Sequence, residues 1–181
     1  VDSDDLLYAF HESTGMELNW FWEQWVYKGG ETSYNVSASD VTEGGKRSTR
    51  FYVEQVHEMN DVVGLFKMPI WFEVYYTDGT SARQMQWIEG KSSFVTIPNS
   101  GNKTVSYVLF DPNNEILKSV QFTKPNDWLK NQALGAQYML DRYDAIIAMR
   151  DWPMDQKRET LIKAFNDTKN TWHTFKGEIA N

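Results

Sequence analysis

The run Pro69-Ile70-Trp71-Phe72-Glu73-Val74-Tyr75-Tyr76 constrains this chain most. Ile70, Phe72, Val74 and Tyr76 alternate with residues that face the other way, which is the period of a strand with a buried side. Thr77-Asp78-Gly79-Thr80 follows, and Asp-Gly after an alternating run is a hairpin signal, because Gly accepts the positive φ of a tight turn. The returning run places Met85 and Trp87 on one face. Further strands are predicted at 50–57, 92–97, 104–110 and 115–122, with the turn Asp111-Pro112-Asn113-Asn114 between the last two. Short strands at regular spacing, with turn residues between them, point to an antiparallel sandwich over 33–122.

Helical periodicity flanks this region on both sides. Residues 4–28 read as helix: Leu6, Leu7 and Phe10 share a face, and Gly15 is a stop signal. A second helix carries Leu18, Phe21, Trp22 and Trp25 at i, i+3, i+4 and i+7, and Gly29-Gly30 ends it. Beyond the strands, Leu129, Ala133, Ala136, Leu140, Tyr143 and Ile147 recur by steps of four and three, which predicts one long apolar stripe. Pro153 suits the first turn of a following helix with the face Leu161, Ile162, Phe165 and Trp172. Joined by Asp151-Trp152, these helices form a hairpin that needs the sandwich or further helices to bury both its faces. The expected fold class is therefore α+β: a mainly antiparallel β-sandwich flanked by an N-terminal helical segment and a C-terminal helical hairpin. The division is 1–29, 33–122 and 126–181. Leu18, Phe21, Trp22, Trp25 and Phe72 are the structural anchors, with Trp22 and Trp25 expected to fix the second helix to the sandwich.

Composition excludes several functions. The 181 residues carry a formal net charge of -7, which repels a phosphate backbone and argues against nucleic-acid binding. The chain contains no cysteine, so disulfides, thiolate metal sites and thiol nucleophiles are all excluded. That leaves the compartment open and is compatible with an exported, periplasmic bacterial protein. No uncharged apolar run approaches the roughly 20 residues of a membrane span. The sequence opens Val1-Asp2-Ser3-Asp4-Asp5, without an initiator Met or the apolar core of a signal peptide, so a processed or excised chain is expected. Aromatic residues reach 15%, which reads first as a bulky core and second as stacking platforms for sugars.

Catalytic patterns are missing. His11-Glu12-Ser13-Thr14-Gly15 and His57-Glu58-Met59-Asn60-Asp61 begin like the zinc motif HExxH, but neither has the second His one helical turn on. There is no GxSxG, and Gly44-Gly45-Lys46-Arg47-Ser48 lacks phosphate-loop spacing. No catalytic and no metal-ligating residue is assigned, and no cofactor is expected in this chain.

A family resemblance enters through Asp5 to Val26. Gly15, Leu18, Phe21, Trp22 and Trp25 occupy the positions of a "sG-x-dL", two-aromatic and "W" pattern. In this respect the chain resembles the gluzincin zinc aminopeptidases, the family of aminopeptidase N. It departs from them at Gly30-Glu31-Thr32, where the family has "G-x-P". Phe66 to Phe72, Asp78-Gly79, Asp111-Pro112, Ile116-Leu117 and Asp141-Arg142-Tyr143-Asp144-Ala145 resemble later stretches more weakly. The resemblance implies that residues 1–29 end a catalytic helical domain, that 33–122 form the sandwich, and that 126–181 begin a helical domain. It further implies that zinc and its ligands belong to the parent enzyme, in a catalytic domain upstream that would be this chain's partner. A chain parted from that domain would expose apolar surface and could pair with itself as a dimer.

Two other readings remain open. A free-standing Trp-rich β-sandwich could bind carbohydrate or protein, and would need Trp71, Trp87 and Trp128 flat in solvent. A small autonomous hydrolase would need a nucleophile or metal motif that the sequence does not display.

Overall fold

The computed structural model describes residues 2–180. Two helices come first, α1 (Ser3–Thr14) and α2 (Asn19–Trp25). Seven strands follow: β1 (Thr32–Glu43), β2 (Lys46–Gln55), β3 (Met68–Tyr76), β4 (Ser81–Ile88), β5 (Ser92–Pro98), β6 (Val105–Phe110) and β7 (Lys118–Thr123). The chain closes with α3 (Asn126–Gly135), α4 (Met139–Ala148), α5 (Met154–Asn166) and α6 (His173–Ala180). The α+β class and the flanking helices are as the sequence predicts.

The strands form two sheets, ordered β5-β2-β1-β7 and β4-β3-β6. All neighbours are antiparallel except β1 and β7, which run parallel. A parallel pair needs a crossover, and here the rest of the sandwich supplies it. Aromatic rings fill the space between the sheets: Phe51 meets Phe72 with centroids 5.0 Å apart, and Tyr34 meets Phe110 at 5.5 Å. Ile70, Phe72 and Val74 are wholly buried, as their alternation requires. Strand β6 is buried on both sides, with Val108 and Phe110 in register with the core residues Val74 and Phe72, and Tyr107 and Leu109 on the opposite face, toward α3.

The stripe predicted over 129–147 is broken into α3 and α4. The cause is a contact far away in sequence. The Tyr107 hydroxyl donates to Gly135 O at 3.1 Å, and its ring lies where a Cβ on Gly135 would come within 3.3 Å. Ala136 then turns extended, and the carbonyls this frees at Ala136 and Gln137 accept from the Arg142 guanidinium at 2.7 and 2.8 Å. The break also rotates α4. Its buried residues are Asp141, Arg142, Ala145 and Ile146, while Leu140, Tyr143 and Ile147 are half-buried. In α5 the buried residues are Thr160 and Ala164, and Ile162 and Phe165 of the predicted face are exposed, as is Trp172 beyond it.

Phe72 touches both Phe51 and Phe110 at the centre of the sandwich. Phe72→Ala should therefore cost about 3–5 kcal/mol through the cavity it leaves. Denaturant titration measures this, and a loss under about 1 kcal/mol would contradict the packing.

Candidate functional site

Helix α2 joins the sandwich through three contacts. Trp25 packs on Phe66 at 5.0 Å, and Trp20 meets Trp87 edge-on at 5.0 Å. Gln24 donates to Lys67 O at 3.1 Å and accepts from Lys67 N–H. Trp22, by contrast, faces α1: it is buried, its indole N–H donates to Ser3 O at 2.9 Å, and its ring lies 6.2 Å from Phe10. The expectation that Trp22 and Trp25 both reach the sandwich is thus corrected, because α2 presents these rings to different partners. Leu18 caps the start of α2 half-buried, and Phe21 sits between Trp22 and Trp25 at the surface. Gly30 must be glycine: its φ is +91°, and a Cβ there would meet Val63 at 2.8 Å.

The histidines and tryptophans that the sequence offers as candidates are scattered. His11 lies on α1, 3.3 Å from the Glu17 carboxylate. His57 meets Gly64 O at 2.9 Å, and His173 starts α6. Among the described residues, no three His, Asp or Glu side chains gather as a metal site would need. The residues present do not fit a zinc centre. The tryptophans of the binding-module reading do not form a row. Arg83 covers Trp71 at 4.1 Å, Trp20 and Lys67 flank Trp87, and Trp128 is buried.

A cleft of about 640 Å³ lies between the sandwich and the helices. Its strand wall holds Val120, Gln121, Phe122 and Thr123 of β7 with Leu109 and Phe110 of β6. Its helix wall holds Asp141, Asp144, Ile147 and Ala148, one face of α4. The turn Asp111 to Asn114 closes one end. Asp111, Asn113 and Asn114 all carry positive φ, which ordinary side chains avoid and Asp and Asn tolerate best. Side chains hold this turn: the Asp111 carboxylate accepts from Ile116 N–H at 3.1 Å and from Lys118 Nζ at 2.5 Å, in a fully buried ion pair. Helix α4 grips it from outside. Asn113 N–H donates to Asp141 Oδ1 at 2.9 Å, and the Asn114 amide donates to Asp144 Oδ2 at 2.9 Å.

Two ionisable groups at the cleft are displaced from their usual range. Lys124 donates to Val108 O at 3.0 Å and to Gln132 Oε1, and Gln132 donates on to Asp141 O at 2.6 Å. Burial lowers the Lys124 ammonium to about 7, against the pull of Asp141 and Asp144. Burial raises the Asp141 carboxyl to about 6; the Asn113 N–H and Lys124 oppose this, and Asp144 and Glu73 add to it. Asp141 Oδ2 is buried with no hydrogen-bond partner. Sequence reading did not single out Lys124, Gln132 or Tyr107. The apolar stripe through Leu140, Tyr143 and Ile147 places Asp141 and Arg142 off its face, so their burial carries no signal in the sequence pattern.

No family model matches this sequence. No curated protein matches it either. Among solved structures, an aminopeptidase A from Legionella pneumophila, crystallised in complex with aspartic acid, is similar over the whole chain with a TM-score of 0.73 and 13% identity. The match covers 100% of this chain and 22% of that one, so the chain spans about a fifth of the length of that neighbour. The likeness is one of fold.

The two shifted groups predict opposite pH signatures. Asp141 binds its proton more tightly folded than unfolded, so the stability it adds is present below about pH 4 and lost as pH rises through about 6. The advantage of wild type over Asp141→Asn should shrink across that window. Lys124 is held neutral more easily folded, so its penalty is relieved as pH rises from about 7 toward 10.5. Wild type should gain on Lys124→Met there. Urea titrations at intervals of pH check both, and pH-independent differences would refute the assignment.

Proposed function

We propose that this chain is a non-catalytic supporting region of a zinc aminopeptidase of the aminopeptidase N type, a β-sandwich with flanking helices that walls the active-site cleft of a larger parent. One observation supports the reading: the whole chain is similar in fold to about a fifth of the length of an aminopeptidase A, with a TM-score of 0.73. Helix α1 supports it. None of its residues is buried, and Leu6, Tyr8 and Phe10 are exposed, although it is well capped by Asp2 and Gly15. A short helix in water is marginal on its own propensity and draws most of its stability from packing. In the proposed parent, the catalytic domain would cover that face, and zinc, its ligands and the proton-transferring carboxylate would all lie there. No helix of the described chain is long and apolar enough to cross a membrane.

In isolation the chain should bind no stoichiometric zinc and hydrolyse no aminoacyl reporter. Metal analysis after dialysis, paired with an aminopeptidase assay, checks this. One tightly held zinc per chain with chelator-sensitive turnover would sink the reading. Sedimentation at several concentrations reads the second consequence: the uncovered apolar side chains of α1, with Ile162 and Phe165 of α5, should favour self-association. A monomer that binds no hydrophobic dye would count against a missing partner.

A further inference from the structure

The cleft beside β7 touches Val120, Gln121, Phe122 and Thr123, four consecutive residues of one strand. Successive side chains of a strand point to opposite faces, so a cavity that meets all four runs along the strand's edge rather than over a face. β1 occupies the inner edge of β7, and the outer edge pairs with no strand among the described residues. The neighbouring edge, that of β6, is treated differently. Ser106 O accepts from the Asn131 amide at 3.0 Å and Val108 O from Lys124 Nζ at 3.0 Å, so side chains cap it. The fold therefore covers one sheet edge and leaves the adjacent one open onto a cleft.

Open edges normally carry a device against pairing, such as proline, a bulge or an outward lysine. β7 reads Lys118-Ser119-Val120-Gln121-Phe122-Thr123 and contains no proline. Lys118 is turned inward on Asp111, and Lys124, just past the strand, is turned toward Val108 and Gln132. Val120 is exposed at 40% and Phe122, two residues on and on the same face, is half-buried, so both offer apolar surface to the cleft. The opposite wall is acidic. Asp141 and Asp144 line it, Asp144 exposed and Asp141 buried, and Lys124, which also lines the cleft, is within electrostatic reach of both.

We propose that this cleft accepts an extended peptide segment, which adds a strand to the free edge of β7 and sets a basic side chain against the carboxylates of α4. Main-chain hydrogen bonds to β7 supply affinity, Val120 and Phe122, two apart on one face of the strand, offer apolar contact to alternate side chains, and the acidic helix wall selects for Lys or Arg. Six residues of strand give a footprint of roughly 20 Å, enough for about six residues of peptide. The proposal is independent of the parent enzyme's identity, since it uses only groups within this chain.

Fluorescence anisotropy tests it with a labelled peptide of alternating Val and Thr and a Lys at each end. Saturable binding is expected. An extended peptide offers alternate amides to opposite sides, so N-methylating one alternate set should weaken binding at least about tenfold while methylating the other set is tolerated. Replacing both Lys by Glu, or using Asp144→Asn, should weaken binding a few-fold, the size of a solvent-exposed charge pair. Asp144→Asn keeps the Asn114 contact within reach and serves as the folded control. Failure to saturate at about millimolar peptide, or equal binding by both methylated peptides, would overturn the proposal. Pairing of two copies through β7 that the peptide cannot displace would overturn it as well.

Discussion

The buried pair of Asp111 and Lys118 is the constraint on which the rest of this structure depends. It sits in the turn that takes the chain from the β4-β3-β6 sheet to the β5-β2-β1-β7 sheet, so it fixes how the two sheets connect. The turn carries positive φ at Asp111, Asn113 and Asn114, a conformation that persists only where the surroundings over-determine it. Here Ile116 N–H and Lys118 satisfy the Asp111 carboxylate, and Trp71 O receives the Asp111 N–H at 2.9 Å. Removing one partner would leave a buried charge unpaired, a defect that typically costs about 3–5 kcal/mol. The parallel placement of β7 beside β1 follows from this turn, and so does the position of α4, whose Asp141 and Asp144 accept from it.

The helices are attached by polar groups more than by apolar faces. Arg142 spans Ala136 O, Gln137 O and Asn170 Oδ1, and Asn170 in turn donates to Ala164 O at 2.7 Å. That network ties the α3–α4 break to the segment before α6, so the helical region is registered by directional bonds. Apolar burial between these helices is modest: Leu129, Ala133, Ala145, Ile146, Met149, Ala164 and Phe175 form a cluster separate from the sandwich core. Small residues such as Ala133, Ala145 and Ala164 let the helices approach closely, while the hydrogen bonds set their angles. Buried networks of this kind specify a geometry when every member is satisfied. Asp141 Oδ2 is the exception: it is buried with no hydrogen-bond partner among the described residues.

Alternation made the sandwich legible. Ile70, Phe72 and Val74 needed only the period of two and the Asp78-Gly79 turn, where Gly79 takes φ +83° as the hairpin requires. Gly30 was legible as a bend, though not its approach to Val63. The helical region was legible only as helix. Its stripe of Leu129, Ala133, Ala136, Leu140, Tyr143 and Ile147 assumed an unbroken period, and Tyr107, a residue of another element, interrupts it at Gly135. A pattern within one segment cannot register a contact from outside it. The same limit explains the anchors. Trp22 and Trp25 share a helical face on a wheel, but α2 is seven residues long and lies between α1 and the sandwich, so its aromatic rings divide between two partners.

This division gives α2 a mechanical role. On one side Trp20, Gln24 and Trp25 fasten it to Trp87, Lys67 and Phe66, all of which belong to the β3–β4 hairpin or the segment leading into it. On the other side Trp22 holds α1 by its indole N–H and by Phe10. Displacing α1 therefore pulls on the sandwich through α2, and the bend at Gly30, pressed against Val63, leaves little slack between α2 and β1. Under the proposed reading, α1 and α2 would end the catalytic domain, and their contacts with the sandwich would set the sandwich's place beside it. At the far end, the turn at Asp111 connects through Asp141 to α4. The chain thus joins two surfaces, the uncovered face of α1 and the cleft beside β7, through ring contacts, hydrogen bonds and a conformationally restricted turn.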